Sequence, residues 1–159
     1  MDLQQLSGGA FVRPARAEDL PRIVGLLESD ALGPAGGLPA TTAEGYLRAF
    51  EAITAEPSNE LWVATDEGGE VIGTLQLIFF TTLSWNAALR AQLAGVRIAA
   101  SQRGRGTGSA LVAWAVERAK SKGCHVVQLS SDKRRADAHR FYTRLGFVPS
   151  HEGLRLVLP

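Results

Sequence analysis

The chain has 159 residues, enough for one domain with a sizeable core. A hydrophobic fraction of 45% with 21% charged residues matches ordinary soluble globular proteins and excludes wholesale disorder. Lys plus Arg total 17 against 16 Asp plus Glu, and a net charge of +1 leaves no electrostatic footprint for a nucleic acid or an anionic membrane.

In chain order, residues 1–10 read as a loose tail. Phe11, Val12 and Arg13 start a short strand that Pro14 stops. Glu18 and Asp19 open a helix whose apolar stripe is Leu20, Ile23, Val24 and Leu27. Residues 33–39, rich in Gly and Pro, form a loop, and a second helix fits residues 42–55 with Tyr46, Leu47, Phe50 and Ile53 on one face. Residues 61–64 and 71–80 read as antiparallel strands joined by a turn at Glu67, Gly68, Gly69 and Glu70. A further strand spans residues 89–99. A glycine-rich turn then leads into a helix over residues 109–122, with Leu111, Val112, Ala115, Val116 and Ala119 buried and Gly123 ending it. Residues 125–129 form a strand, 135–145 a helix closed by Gly146, and 153–158 a last strand. Three successive strands without crossover helices make this an α+β, mixed α/β arrangement rather than a doubly wound parallel sheet.

The single Cys124 excludes an intrachain disulfide, and with three scattered His it gives no zinc pattern, so no metal is expected. The first ten residues have neither the basic nor the apolar region of a signal peptide. The longest apolar run, residues 110–116, falls far short of the roughly 20 residues a membrane span needs. The expectation is a cytoplasmic protein without a membrane or nucleic-acid partner. A homodimer is compatible with the sequence, which does not derive it.

The glycine turn carries the chemistry. Gly104, Gly106 and Gly108 alternate with Arg103, Arg105 and Thr107, and Ser109 begins the helix. Glycines reach positive φ and admit close approach of a ligand. Helix N-terminal amides and mobile guanidinium groups together suit the oxygens of a pyrophosphate. A Walker loop would need a Lys after the glycines, and a dinucleotide fingerprint would need Gly-x-Gly-x-x-Gly with a later acid; neither fits. A plain strand-to-helix turn without a ligand is the remaining alternative.

The glycine-turn residues Arg103, Gly106 and Gly108, followed later by Phe141, Tyr142, Leu145, Gly146 and Phe147, form two motifs in an order that resembles the GNAT superfamily of acyl-CoA N-acyltransferases. Arg103, Gly106 and Gly108 match its coenzyme motif Gln/Arg-x-x-Gly-x-Gly/Ala. Phe141, Tyr142, Leu145, Gly146 and Phe147 match its Phe/Leu-Tyr-x-x-Leu-Gly-Phe signature. The resemblance spans residues 11–158. It implies a GNAT domain over residues 11–159, with a mostly antiparallel mixed sheet, a splayed strand pair and about four flanking helices. It further implies that Val96, Arg97 and Ile98 bind pantetheine through main-chain atoms, that residues 104–109 hold the pyrophosphate, and that Arg103, Arg105 and Arg135 lie at the coenzyme. Tyr142 takes the place of the family's general acid, and the Ile98 amide that of an oxyanion donor.

Departures from the family pattern are equally specific. Arg135 stands where many relatives have Asn, and Ser130 where those acting on protein N-termini have Glu. Gln92 and Ala94 stand where a carboxylate base could face the cleft. Asp132 is left as either a base or a helix N-cap, with a water chain as the alternative base. His125 and His139 read as strand and helix surface residues, His151 as a residue near the last strand. The tryptophans read as core or partner surfaces. Lys133, Arg134 and Arg135 form a solvated, coenzyme-adjacent cluster. Acceptor contacts are expected from residues 31–42 and 79–86, with Asp30 and Glu44 as cationic-amine partners. The reading is an acetyl-CoA-dependent N-acetyltransferase working by direct transfer to a primary amine of a small molecule or peptide. The alternative is a non-catalytic acyl-CoA-binding sensor or assembly module.

Overall fold

In the computed structural model, which describes residues 3–29 and 38–159, the alternating apolar residues of the middle of the chain build a six-stranded sheet in the order β1-β2-β3-β4-β5-β6. Its strands are β1 (Gln4–Gln5), β2 (Phe11–Pro14), β3 (Asn59–Thr65), β4 (Val71–Thr81), β5 (Leu89–Ile98) and β6 (Val126–Leu129). Every pairing is antiparallel except β5 with β6, which are parallel because a helix crosses between them. The helices are α1 (Leu20–Glu28), α2 (Ala43–Ala55), α3 (Thr107–Ser121) and α4 (Ala136–Arg144). The fold is the mixed α+β arrangement expected, with one mostly antiparallel sheet and four helices.

Two cores sit on the two faces of the sheet. Trp62, Leu75, Leu77, Ala91 and Leu93 meet Leu111, Val112, Ala115 and Ala119 of α3 on one side. Ile23 and Leu26 of α1 pack on Val63 and Val71 on the other. The α2 face expected from Tyr46, Phe50 and Ile53 is only half-buried, and Leu47 is exposed.

Two terminal expectations are corrected. Residues 3–10 are not loose: β1 pairs with β2, Leu6 donates to the Ala10 carbonyl at 2.7 Å, and Leu6 and Ala10 are buried. Positive φ at Gly8 and Gly9 makes that return possible. Residues 153–158 form no strand; Leu154, Leu156 and Leu158 alternate as a strand would, yet all are exposed. Alternation without a paired edge does not make a strand. The loop expected at 33–39 lies outside the described residues apart from Leu38 and Pro39, as does Asp30.

Helix α3 is tied to β3 by Glu60, whose carboxylate accepts from Arg118 at 2.7 and 3.0 Å, from Trp62 Nε1 at 3.0 Å, and pairs with Lys122 at 3.1 Å. Burial pushes this carboxyl up, and the hydrogen bonds from Arg118, Lys122 and Trp62 more than offset it, so it lies below its ordinary value. Asp19, buried and bridged to Arg13, is lowered for the same balance of reasons. A carboxylate whose folded pKa is depressed adds stability that is present above the unfolded value and is lost as pH falls. Stability is therefore expected to drop as pH falls below about 4. At pH 7 Glu60→Gln should cost about 1–3 kcal/mol, and in thermal melts across pH it should flatten part of the acid-side slope. An unchanged slope would remove Glu60 from that role.

Candidate active site

Strand β5 outruns its neighbour. Its parallel pairing with β6 runs from Arg90 opposite Val126 to Leu93 opposite Leu129, where β6 ends, while β5 continues to Ile98. Past that point β5 carries a bulge: Thr74 faces Arg97 and Gln76 faces Ala94, so Leu75 alone opposes Gly95 and Val96. Gly95 has φ of +58°, a left-handed value that glycine adopts without strain. A glycine inside an otherwise continuous strand pattern is the readable sign of such a bulge, and the sequence reading did not single it out.

The bulge decides which backbone groups face the open edge. Ala99 donates to the Ile72 carbonyl across the β4 side at 2.8 Å. Alternation along a strand then gives Arg97 to the β4 ladder and turns the Ile98 amide and carbonyl to the edge that β6 has left. Arg97 therefore does not offer its main chain to that edge, contrary to expectation. Its guanidinium does reach it, donating to the Val96 carbonyl at 2.8 Å.

The open edge runs directly into the glycine turn. Gly104 and Gly106 have φ of +74° and +85°, and a Cβ built on either meets nothing within 4 Å. Helix α3 begins at Thr107, two residues earlier than expected, with Gly106 as its N-cap. The Thr107, Gly108 and Ser109 amides thus belong to the first helical turn, whose N–H groups have no intrahelical acceptor. Arg103 and Arg105 are exposed beside them. Gly108 is small for another reason. Its φ is not positive, and a Cβ there would lie 3.4 Å from Ile98 Cγ1 and 3.5 Å from Phe141 Cζ. The strand, the turn and α4 converge at this glycine.

Helix α4 ends as the sequence dictates. Gly146 has φ of +92°, and the Tyr142 carbonyl accepts from the amides of Leu145 and Phe147. That return sets the Phe147 ring 5.7 Å from the Tyr142 ring in an edge contact, with Phe141 on the other side at 5.0 Å. Burial raises the Tyr142 hydroxyl above its ordinary value, while the positive charges of Arg97 and Arg135 oppose the rise. The same balance shows that Arg97, Arg135 and Tyr142 share one electrostatic neighbourhood, although they come from β5, the start of α4 and its interior. At neutral pH Tyr142 keeps its proton.

The remaining candidates sort by geometry. Asp132 is not the N-cap of α4, a place taken by Arg135. Its carboxylate accepts from the Arg134 amide at 2.9 Å and from the Arg134 guanidinium at 2.8 and 3.0 Å. Those bonds hold it far below the ordinary carboxylate range, which suits neither base nor acid near neutral pH. Gln92 and Gln128 hydrogen-bond to each other at 2.9 Å across β5 and β6. Burial pushes the Cys124 thiol up, away from nucleophilic thiolate chemistry. His139 Nε2 lies 2.9 Å from the Asp132 carbonyl, and Lys133 pairs with Glu152. Glu44 pairs with Arg48 one helical turn on. The buried Trp62 meets the partly buried Trp114 edge-on at 4.6 Å, and Trp114 donates to Gln4 at the surface. No helix among the described residues is long and apolar enough to cross a membrane.

Comparison with known proteins agrees with this architecture. Residues 20–147 match the Acetyltransferase (GNAT) family model. An aminoalkylphosphonate N-acetyltransferase of Salmonella typhimurium is 37% identical over 108 residues, covering 68% of this chain and 69% of its own. A crystal structure of a Bacillus halodurans C-125 protein described as a transcriptional regulator superposes with a TM-score of 0.84 at 44% identity, covering 94% of this chain and 99% of that one. A Trypanosoma brucei acetyltransferase gives a TM-score of 0.74 at 25% identity, over 94% and 99% of the two chains. With the family pattern spanning most of its length, the chain belongs to the GNAT acetyltransferase family.

Proposed function

We propose that this protein is an N-acetyltransferase that uses acetyl-CoA and transfers directly to a primary amine of a small molecule or peptide. One observation carries the reading: the β5 edge that β6 leaves open leads into a glycine-lined helix N-terminus, where Phe141 reaches Gly108 and the next residue is the protonated Tyr142. The 37% identical relative, named as acting on aminoalkylphosphonates, supports a small acceptor.

The residues present fit the coenzyme. The open space over Gly104 and Gly106 admits a diphosphate that a Cβ would block, and the α3 amides with Arg103 and Arg105 would hold its oxygens. The Ile98 amide and carbonyl, turned to the open edge, would take the pantetheine arm as an added strand takes its ladder. Bound there, acetyl-CoA supplies a thioester, the acyl donor that a neutral amine attacks with loss of a thiolate. The same Ile98 amide is the donor we assign to the acyl oxygen. Tyr142 delivers a proton to the departing sulfur, because burial keeps its hydroxyl protonated and Phe141 and Phe147 fix its ring. The proton that the attacking nitrogen loses on becoming an amide passes through water and restores the phenol, so the net transfer is from amine to thiol. Arg97 and Arg135 stabilise the phenolate left behind by the same charge that opposes the rise of the hydroxyl's pKa.

Acetyl-CoA at 100 times its dissociation constant stabilises the folded chain by about 2.7 kcal/mol, a rise in melting temperature of roughly 5–10 °C. NAD and ATP should give far less. Replacing both Arg103 and Arg105 with Glu reverses two exposed charges beside the start of α3, so the double variant should fold and show little acetyl-CoA shift. A full shift in that variant would displace the cradle. No shift of the wild type with any CoA compound would end the reading.

Tyr142→Phe keeps the ring packing and deletes the hydroxyl. The expected result is acetyl-CoA affinity within about twofold and turnover lowered at least about tenfold, the low side of general-acid contributions. Loss of the proton donor in the wild type should appear as an alkaline limb in kcat above about pH 10, the ordinary tyrosine value, and vanish in the variant. Equal turnover of the two proteins contradicts the assignment. Binding without turnover by either, across a broad amine panel, would make the chain a coenzyme-binding module, a reading favoured by Gln92 and Ala94 standing where a carboxylate base could.

A further inference from the structure

Arg90 lies four residues before Ala94 on the same face of β5, about 13 Å along the strand. It is 8% exposed. Desolvating a guanidinium is costly unless an anion compensates it. Two other deeply placed arginines obey that rule: Arg13 is held by Asp19 and Arg118 by Glu60, each through two hydrogen bonds. Arg90 is as deeply placed and pairs with no carboxylate among the described residues. Its Nη2 donates to Thr82 Oγ1 at 2.8 Å, its Nη1 reaches Gln128 Oε1 only at 3.4 Å, and its buried Nε has no acceptor among the described residues.

What surrounds Arg90 is arranged at a cost. Its guanidinium lies over the Phe80 ring at 4.7 Å and beside the Trp85 ring at 5.6 Å. Trp85 is held there by a turn in which three consecutive non-glycine residues, Trp85, Asn86 and Ala87, take φ of +59°, +54° and +55°. Such strain concentrates at ligand clamps, where the surrounding structure maintains it. Trp85 is itself half-exposed and has the His151 ring 5.8 Å away. Toward the open edge, the same face continues through Gln92, linked to Gln128, to Ala94 at the bulge. A cation needing an anion thus stands at one end of a face whose other end is the proposed reaction site.

Resting on the acetyltransferase reading, we infer that Arg90 binds an acidic group of the acceptor. The substrate class is a compact primary amine that carries a carboxylate, phosphonate or phosphate. The acid sits at Arg90 under Trp85, and the amine points along β5 toward Ala94. Arg90 determines specificity rather than driving the chemistry, since it lies away from Tyr142 and the open edge. A purely structural Arg90 would only pin the turn around Trp85, and it would do so for every acceptor alike.

The test titrates CoA-saturated protein by calorimetry with β-alanine, aminoethylphosphonate and propylamine, and measures KM and kcat for the same amines. Saturating CoA keeps the acids out of the phosphate cradle. The wild type should bind at least one acid-bearing amine at least about tenfold more tightly than propylamine. In Arg90→Met that ratio should fall roughly 10- to 150-fold, the range for a hydrogen-bonded charge, toward unity, with the change in KM rather than kcat. Arg90→Lys should keep part of it. A wild type without preference for acid-bearing amines overturns the inference without need of any variant. Equal losses for all three amines in Arg90→Met overturn it in favour of the structural role. If no amine of a broad panel that includes these three is acetylated while the calorimetric preference and its loss persist, the acetyltransferase reading fails and Arg90 stands as an acid-binding site. Acetylation of all three amines with equal KM does the reverse, overturning the Arg90 assignment and upholding the acetyltransferase.

Discussion

The parallel pairing of β5 with β6 stops at Leu93 while β5 runs on to Ile98, and a sheet edge left without a neighbouring strand offers backbone donors and acceptors to whatever enters the gap. The bulge at Gly95 sets which groups those are, giving Arg97 to β4 and Ile98 to the gap. The glycine turn follows without a break, so the end of an unpaired strand and the start of an unsatisfied helix face the same space. Helix α4 closes the far side, where Phe141 reaches Gly108 and Tyr142 stands beside Arg97 and Arg135. Strand edge, helix start and tyrosine together would suit the long, polar-headed coenzyme proposed above.

Charge is distributed with the same economy. Acids that sit in or near the structure's interior, Glu60 and Asp19, are each committed to an arginine that fastens one element to another. Asp132, close to the start of α4, is committed to Arg134. The groups that face the gap and the β5 face are instead amides, a phenol and guanidinium groups. That balance suits phosphate and other anions, and Gln92 and Ala94 bring no carboxylate to this face of β5.

Much of this was legible in the residues because the determinants are local. Gly123 and Gly146 announce helix ends by needing positive φ, and both have it. The Glu67 to Glu70 turn and the strands around it follow from alternation and glycine placement. Phe147 folds back on Tyr142 because Gly146 takes a positive φ that lets the Phe147 amide reach the Tyr142 carbonyl. Where the sequence misled, the cause was an interaction at a distance. Leu154, Leu156 and Leu158 alternate like a strand, yet alternation says nothing about whether an edge receives them. Leu6 lacks any local pattern, yet it is buried because β1 finds β2 through two glycines. On sequence pattern alone, Arg90 is one polar position in an alternating strand. Its burial comes from Phe80, Thr82 and a strained turn that no propensity foretells.

The central claim is that the β5 backbone beyond Leu93 is the coenzyme's binding edge. Amide hydrogen exchange, read residue by residue with and without saturating acetyl-CoA, tests it most directly. The account predicts marked slowing at Ile98 and at the Thr107, Gly108 and Ser109 amides. Little change is expected at Ala91 and Leu93, which β4 and β6 already bracket. Slowing confined to other parts of the chain, with Ile98 and the start of α3 exchanging as before, would contradict it.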